Sequence, residues 1–409
     1  MSVSTSGQSA HHSLSIPILA ALSFMIVCVL PVSSMSVLFE EISQDLNLSV
    51  VQIGSVWGVA SFGAIFITPL GGLLCDRLGA KRTIAMMGII SGTIVLLMGA
   101  SSGFVSLMVT TLIWGTLSST IVPAINMAAS QASSPSKQAL AQGLIACGAG
   151  LGFTLGSLIG ATLLSPLLGG WRHVLYFYGT IAIVFSLYWL IRVKVPERIK
   201  SGDSGETVSF HRAFNYLFRL KALWLIGLCF MFYQCCVIGM QGYLPYFLQN
   251  VGWDVATASS ALAAFMAIST IGAIPLSILS DRTGSRKILL QATLLTSIVG
   301  VGLMSIVHNE MLWVLVVLAG IFYGVAPALF TTLCIETKEV GIAYSGTAVG
   351  IMLGIANVGK AFAPPLGNSL ADISTTIAWP FIFWAALGII GSVILVFIKE
   401  TGRRAESKK

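Results

Sequence analysis

Lys360 is a charged side chain deep inside an apolar stretch of the sequence, a position where a charge is costly. It lies 12 residues before Asp372, or roughly 18 Å along a helix axis, and a lysine stem reaches only about 6 Å. No Asp or Glu lies in any apolar stretch to neutralise it. Such an ammonium is suited to binding an anion in a water-filled cavity, or to exchanging a proton with that water.

Uncharged polar side chains near the middle of apolar stretches could complete a binding site with this lysine. Asn357 precedes Lys360 by three residues, a spacing that places both side chains on one face of a helix. Aromatic side chains with one polar tip suit a small amphiphilic ligand. The other residues of this kind are Gln234, Tyr233 and Tyr323, with Trp114 and Gln241 as weaker candidates.

The residue types needed for catalysis are missing from the apolar stretches. An intramembrane hydrolase or transferase would need a nucleophile with a base, or paired carboxylates. All five histidines lie in polar segments or at the ends of apolar ones, and the seven cysteines show no metal-ligand spacing. Basic residues are not interleaved with base-stacking aromatics, so nucleic-acid binding is not expected. We therefore expect no enzyme, no metal and no cofactor.

The elements that hold these residues are predicted to be membrane-spanning helices. Apolar residues make up 56% of the 409 positions and charged residues 9%, whereas soluble proteins carry roughly 25% charged residues. Twelve apolar runs are each close to the ~20 residues needed to cross a bilayer core. Pro69 and Pro275 are predicted to end the second and eighth runs. The runs are 16–39, 51–74, 83–101, 104–128, 143–166, 173–193, 222–247, 257–280, 288–307, 311–334, 346–370 and 378–398.

The basic residues between these runs predict the orientation of the chain. Nearly all Lys and Arg residues fall in alternate loops, and Arg172 stands alone on the opposite side. Because basic residues of short loops stay in the cytoplasm, both termini and the central loop are predicted to be cytoplasmic. The very short loops favour a prokaryotic inner membrane. The net charge of +7 also implies some affinity for anionic lipid headgroups.

The sequence contains an internal repeat. The segment 72–82 returns as 277–287 with an offset of 205, and Gly152 returns as Gly359 with an offset of 207. Each repeat contains six apolar runs, so the two are parallel and related by an axis normal to the membrane. The predicted units are a six-helix half 1–193, a cytoplasmic linker 194–221, and a six-helix half 222–409 with a short cytoplasmic tail.

The loop pattern Gly-x-x-x-Asp-Arg-x-Gly-x-Lys-Arg, repeated in altered form after helix 8, resembles the signature of the major facilitator superfamily. The resemblance covers essentially the whole chain and implies an all-α fold of twelve transmembrane helices in two pseudo-symmetric halves. It also implies a latch that shuts the cytoplasmic side, with each loop carboxylate near a helix N-terminus of the other half. The alternative is that these charges only fix orientation. The residues assigned to the latch are Gly72, Asp76, Arg77, Gly79, Arg82, Asp281, Arg282 and Gly284.

Helices 5 and 11 carry small residues at four-residue spacing, which lets helices approach closely. The helix 5 pattern resembles the superfamily's antiporter motif, but Ser157 replaces the usual proline, so antiport is only weakly favoured. Thr111 stands where proton-coupled drug exporters carry an arginine, which disfavours that class. The residues predicted to pack these helices are Gly152, Gly156, Gly160, Gly359, Pro364 and Gly367.

The resemblance implies a central cavity lined by helices 1, 4, 7 and 10. A lysine in helix 11 is similar to the oxalate/formate and monocarboxylate-type branches, but helix 8 lacks the basic residue of oxalate exchangers. Because one cation matches one negative charge, we expect a secondary active transporter of a small organic anion, with a monocarboxylate favoured. It would work by alternating access. The predicted substrate-binding residues are Lys360, Asn357, Gln234, Tyr233 and Tyr323.

Two other functions stay open. The chain could move neutral or lipophilic compounds, with Lys360 serving proton coupling. A non-transporting sensor would need an added signalling domain, for which the tail 401–409 is too short. The expected partners are a small anionic substrate and membrane lipid, with a coupling proton left open, and we expect a monomer.

Overall fold

The computed structural model describes residues 15–134, 137–193, 195, 216–307, 309–373 and 376–401, and the elements it describes there are helical. Twelve long helices dominate this part of the chain, and eleven are long and apolar enough to cross a membrane. The twelfth, α2, contains the shorter apolar stretch Val50–Ile65. The helices are α1 Ser15–Val37, α2 Val50–Leu78, α3 Ala80–Gly99, α4 Phe104–Gln131, α5 Leu140–Leu168, α6 Trp171–Arg192, α7 Lys221–Asn250, α8 Val255–Thr283, α9 Arg286–Leu303, α10 Leu312–Glu336, α11 Gly341–Ile373 and α12 Trp379–Phe397.

These helices confirm the prediction of twelve spans in an all-α membrane protein. The predicted linker 194–221 falls largely outside the described residues, which lack Lys194 and 196–215. The proposed limits of the two halves therefore stay a prediction.

The expected ends of α2 and α8 at Pro69 and Pro275 are wrong, because both helices continue for roughly two further turns. A proline is tolerated inside a membrane helix because neighbouring helices and local adjustments compensate for the lost hydrogen bond. Each helix ends instead at a glycine with positive φ, Gly79 at 80° and Gly284 at 62°. Glycine adopts this backbone conformation without a Cβ clash, so these two residues are the turns of the repeated loops.

Contacts between helices repeat in the two halves with nearly the offset found in the sequence. A Cβ built on Gly152 of α5 would lie 2.7 Å from Cγ of Met25 in α1. One built on Gly359 of α11 would lie 2.7 Å from Cγ of Met231 in α7. The glycines are 207 residues apart and the methionines 206, so the two halves share one packing scheme.

The apolar core consists of one cluster in the second half and two clusters centred on the first. The halves meet where α2 packs along α11 and α5 packs along α8. Leu262 of α8 is fully buried in a cluster otherwise built from the first half. The halves are therefore joined by apolar packing as well as by the chain.

We name the two ends of the bundle by their charges: the basic end carries the loops after α2 and α8, and the Arg172 end is opposite. A short helix, Phe39–Leu46, follows α1 at the Arg172 end. Its Glu41 accepts hydrogen bonds from Ser165 Oγ at 2.6 Å and from the Trp171 backbone N–H at 2.8 Å. Its Asp45 pairs with Arg172 at 2.9 Å. These contacts hold the α5–α6 loop against the end of α1.

Candidate functional site

Lys360 lies on the side of α11 that faces the interior between the two halves. Its neighbour Gly359 packs against α7, and the carbonyl oxygen of Ala361 packs against Gly58 of α2. Phe362, by contrast, is 49% exposed on the outer surface. At about 100° per residue, Lys360 points roughly 160° away from Phe362. The ammonium is therefore directed away from the lipid-facing side.

Phe153 of α5, in the other half, also lies near the centre of the molecule. It is the repeat counterpart of Lys360, 207 residues earlier, and its ring packs against the clusters of both halves. Because the halves share one packing scheme, equivalent positions on α5 and α11 face the same axis. One half presents an aromatic ring there and the other presents an ammonium.

Lys360 has no ion-pair partner and no hydrogen-bond partner among the residues that the structure describes, and its side chain is only partly buried. An uncompensated lysine at this depth costs about 2.5–3.5 kcal/mol even on the lenient insertion scale. Water or a bound anion in the space between the halves would reduce this cost.

Gln234 of α7 lies at the same level as Lys360. Gly359 packs between Met231 and Cys235 of α7, which places Gln234 beside the same helix contact. Gln234 is 3% exposed, and its Oε1 atom has no hydrogen-bond partner in the described chain. Asn357 lies one turn from Lys360 towards the basic end and is half-buried. These residues form a polar strip around the lysine.

Tyr323 lies in a 3₁₀ turn, Tyr323–Val325, that interrupts α10. Its ring is half-buried, 5.3 Å from the Phe265 ring of α8. Its hydroxyl lies next to the Gln241 amide of α7 without meeting hydrogen-bond geometry. A short 3₁₀ stretch inside a helix often marks a functional position. Tyr323 therefore stays in the candidate site, and Gln241, a weaker sequence candidate, joins it.

The side chain of Tyr233 lies within the packed core of the second half, with its ring 6.3 Å from that of Tyr323. It is 1% exposed, its ring is 6.2 Å from that of Phe330, and its hydroxyl lies next to Ser297 of α9. The neighbouring Gln234, about 100° around the helix, takes the interior-facing position instead. The role of Tyr233 in substrate binding stays a prediction. Trp114 is likewise 4% exposed in the core of the first half.

The residues assigned to the latch lie at the basic end, as their sequence positions require. Arg77, Arg82 and Arg282 are exposed. The side chains of Asp76 and Asp281 lie outside the described residues, and Gly72 lies in the α2 backbone. The latch role of this set stays a prediction.

The predicted packing residues lie at close helix contacts. The Cβ position of Gly156 would overlap Ser33 Oγ, and that of Gly160 would lie 2.9 Å from Ser34 of α1. Gly367 packs on Trp384 of α12. The carbonyl oxygen of Pro364 lies 2.8 Å from the Cβ position of Gly54 in α2. Added side chains at these glycines would push helices apart.

Three hydrogen bonds close the interface between the halves at the Arg172 end, and the sequence did not indicate them. Trp57 Nε1 donates to the Ile238 carbonyl at 3.0 Å, and Asn368 Nδ2 donates to the Val50 carbonyl at 2.9 Å. Asn250 Nδ2 donates to Glu40 Oε2 at 3.1 Å. Two bonds use backbone carbonyls as acceptors, so no pattern of side-chain types could have revealed them.

The halves separate towards the basic end. A Cβ built on Gly354 of α11 would find Ile65 of α2 at 3.8 Å, and at Gly346 and Gly350 no described heavy atom lies within 4 Å. Farther towards the Arg172 end, Gly58 of α2 is in direct contact with α11. Among the described side chains, the space around Lys360 is therefore closed towards Arg172, and α2 and α11 move apart towards the basic loops.

Comparison with known proteins agrees with this architecture. The chain is 25% identical over 372 residues to the 3-(3-hydroxy-phenyl)propionate transporter of Escherichia coli (strain K12), covering 88% of each chain. It is 24% identical over 407 residues to the hexuronate transporter of Bacillus subtilis (strain 168), covering 92% of this chain and 93% of the relative. The solved structure of a bacterial homolog of the human lysosomal transporter Spinster, inward-facing and occupied, superposes with a TM-score of 0.78 at 16% identity, covering 96% and 97%.

The nucleoside transporter NupG superposes with a TM-score of 0.75 at 18% identity, covering 95% of this chain and 99% of the other. At these identities the superpositions show the fold alone. The sequence profile described as Major Facilitator Superfamily matches residues 18–346 and 243–409, which together span almost the whole chain. With its twelve helices and repeated loop motif, the protein belongs to the major facilitator superfamily of membrane transporters.

Proposed function

We propose that the protein is a secondary active transporter of a small organic anion, with a monocarboxylate favoured. The observation that carries this proposal is that Lys360, at the level where the halves meet, has no ion-pair partner among the described residues. A single ammonium balances a single carboxylate, and the membrane stretch Val255–Ser280 of α8 contains no second basic residue. Relatives named for a hydroxyphenylpropionate and for hexuronate, both carboxylates, support the same class.

Transport by alternating access would follow from the arrangement of the halves. The substrate would enter from the basic end and place its carboxylate against Lys360, with Gln234 and Asn357 beside it. Rocking about this level would break the contacts at the Arg172 end and close the basic end. We propose that the basic end is cytoplasmic and the membrane a prokaryotic inner membrane, because short basic loops remain in the cytoplasm.

The test is transport by purified protein in liposomes, with a panel of labelled carboxylates and with or without a pH gradient. Lys360→Gln and Lys360→Ala should abolish uptake, and Lys360→Arg should keep part of it because the charge remains. Lys338→Gln, at an exposed position in the α10–α11 loop, is the control and should transport normally. Wild-type uptake by Lys360→Gln would refute the proposal.

The second candidate function is transport of neutral or lipophilic compounds with Lys360 as the proton-coupling group. It is compatible with the apolar Phe153 opposite the lysine. Under this function the same panel would show no carboxylate uptake. Lys360→Gln would then abolish only the dependence of the transport of the neutral compound on the pH gradient.

A further inference from the structure

Gln241 of α7 is a buried amide that lies beside the Tyr323 hydroxyl without meeting hydrogen-bond geometry. It is 0% exposed, and neither its Nε2 nor its Oε1 atom has a hydrogen-bond partner in the described part of the chain. An unsatisfied buried amide costs roughly 1–3 kcal/mol for each lost partner, so such groups call for an explanation. Membrane proteins retain them where a ligand or an ordered water completes the bonds.

Gln241 belongs to the same strip of α7 as Gln234. The two residues are seven positions apart, which is nearly two full turns, so their side chains point in directions only about 20° apart. This strip lies between Met231, which packs on α11, and Phe230, whose ring stacks on Phe330 of α10 at 4.5 Å. Both glutamines therefore point between α11 and α10, on the side of α7 where Gly359, the neighbour of Lys360, packs.

Tyr323 supplies a second polar group at the Gln241 end of the strip. Its hydroxyl lies beside the Gln241 amide, close enough to interact with it but outside hydrogen-bond geometry. A hydroxyl and an amide together offer donors and acceptors but no charge. They suit a neutral polar group such as an alcohol or phenol.

We propose that Gln241 and Tyr323 bind a hydroxyl group of the substrate, so that the transported anion is a hydroxylated carboxylate. This inference rests on the proposed anion site at Lys360. Gln241 lies about eight residues beyond the level of Lys360, or roughly 12 Å, and the lysine stem spans up to about 6 Å of that distance. The substrate should therefore carry its hydroxyl on the order of 6–12 Å from its carboxylate.

The experiment measures binding of matched acids to the purified full-length protein in detergent by isothermal titration calorimetry. The pairs are 6-hydroxyhexanoate with hexanoate, and 3-(4-hydroxyphenyl)propionate with 3-phenylpropionate. The wild type should bind the hydroxylated member at least about tenfold more tightly, because a site built to hydrogen-bond a hydroxyl rejects the analogue without it. Gln241→Leu and Tyr323→Phe should each reduce this ratio to about one.

Gln249→Leu is the matched control, since Gln249 lies on the same helix and also has an unpartnered Nε2. The Gln249→Leu variant should keep the wild-type ratio of affinities between the hydroxylated and the unhydroxylated acid. If Gln241→Leu does not elute as a folded monodisperse protein, Tyr323→Phe, which removes one oxygen atom, still tests the subsite.

A ratio near one in the wild type would overturn the inference, as would a ratio that survives both Gln241→Leu and Tyr323→Phe. A ratio that survives both substitutions would mean that the Gln241 amide is hydrogen-bonded to a water molecule and not to the substrate. Lys360→Gln separates the two proposals, because it should abolish binding of both members of each pair. If it does so while the wild type shows no preference, the anion site stands and the hydroxyl subsite fails. If Lys360→Gln binds like the wild type, or if the wild type binds none of the four acids, the anion site fails and the subsite with it.

Discussion

At the scale of single residues, the central feature is an asymmetric pair in a symmetric fold. Phe153 and Lys360 occupy equivalent positions on α5 and α11 and face one interior. An ammonium without a counter-ion is unfavourable in a low dielectric, and an anionic ligand offsets that penalty. The aromatic ring opposite favours an apolar body on the ligand. Under the proposed function, the pair would therefore suit an anion that also carries an apolar body.

Moving the positive charge from position 360 to position 153 tests whether these two residues line one cavity. Phe153→Lys in a Lys360→Gln background should restore binding of the carboxylate, at roughly tenfold lower affinity. Affinity should stay lower because Gln234 and Asn357 remain on the second half. Leu151→Lys is the control, since Leu151 is 55% exposed on the outside of α5. Titration calorimetry measures carboxylate binding by the two double variants. If Leu151→Lys restored binding as well as Phe153→Lys does, a shared cavity would be contradicted.

Asp254 provides a test of the pH dependence of stability. It caps α8, accepting hydrogen bonds from the backbone N–H groups of Ala256 and Thr257 at 3.0 Å each. Hydrogen bonds from Thr257 lower the pKa of Asp254 from its usual 3.8, and the bond from the Thr257 hydroxyl has a larger effect than the bond from its backbone N–H. A depressed pKa means that the stabilisation is present above the unfolded-state value and is lost as the pH falls through the folded-state value.

Asp254→Ala should therefore lower the melting temperature at neutral pH, and the gap to the wild type should close at pH values well below 3.8. Asp254→Asn keeps a capping side chain that does not titrate, so its melting temperature should stay near that of the wild type at neutral pH. Thermal unfolding in detergent measures all three proteins. A gap between wild type and Asp254→Ala that is independent of pH would refute the capping role of the carboxylate.

The candidate site was only partly predictable from residue types. Lys360 stands out because a lone charge in an apolar run is visible without any coordinates. Tyr233 and Gln234 are adjacent, and the choice between them depends on the rotation of α7. That helix is apolar around most of its circumference, so no polar face fixes its rotation from sequence. Gln241 was undervalued for the same reason.

At the scale of elements, length and composition gave the twelve helices and most of their ends within a few residues. What they did not give is which distant groups cap these ends. The N-terminus of α6 is capped by Glu41 from beyond α1, and that of α9 by Glu400 from beyond α12. Such capping joins residues more than 100 positions apart. Local sequence patterns reveal only neighbouring caps, such as Ser49 at the start of α2.

Glu400 provides a test of how much such a distant cap contributes to the stability of the protein. Its carboxylate accepts hydrogen bonds from Ser285 Oγ at 2.7 Å and from the backbone N–H groups of Arg286 and Lys287 at 3.0 and 3.1 Å. Glu400→Gln should destabilise the protein by about 1 kcal/mol, because the charge no longer favours the positive helix end. We expect a fall in melting temperature of roughly 2 °C.

Glu339→Gln is the matched control for this cap, since it removes the same charge from an exposed position in the α10–α11 loop. It should leave the melting temperature of the protein unchanged. Equal effects of the two substitutions in thermal unfolding would show that net charge, rather than the helix end, is responsible.

At the scale of the whole molecule, contact between the halves is unequal along the membrane normal. The Arg172 end is joined by three hydrogen bonds and by close packing of α2 on α11, whereas the basic end is separated. In the part of the chain that the structure describes, the two halves are thus in close contact at the Arg172 end and farther apart at the basic end. Because the packing at the Arg172 end is tight, added volume there should favour the opposite arrangement.

Gly58→Val tests this balance between two arrangements. Its Cβ would overlap the Ala361 carbonyl oxygen, a backbone atom that cannot rotate away. Overpacking costs about 1–3 kcal/mol, so the closed Arg172 end should become disfavoured by roughly tenfold or more. The readout is labelling of a Gly346→Cys reporter by a membrane-impermeant maleimide added at the basic end, compared with the same protein without the reporter.

Labelling of that reporter should slow by about tenfold in the Gly58→Val background, because opening the Arg172 end closes the basic end. Gly143→Val at the basic end of α5, where no described heavy atom lies within 4 Å of the added Cβ, should leave the rate unchanged. Both substitutions add the same side chain to a membrane helix, so a difference between them isolates the contact with α11. An unchanged labelling rate in a folded Gly58→Val protein would mean that the two ends do not move as alternatives.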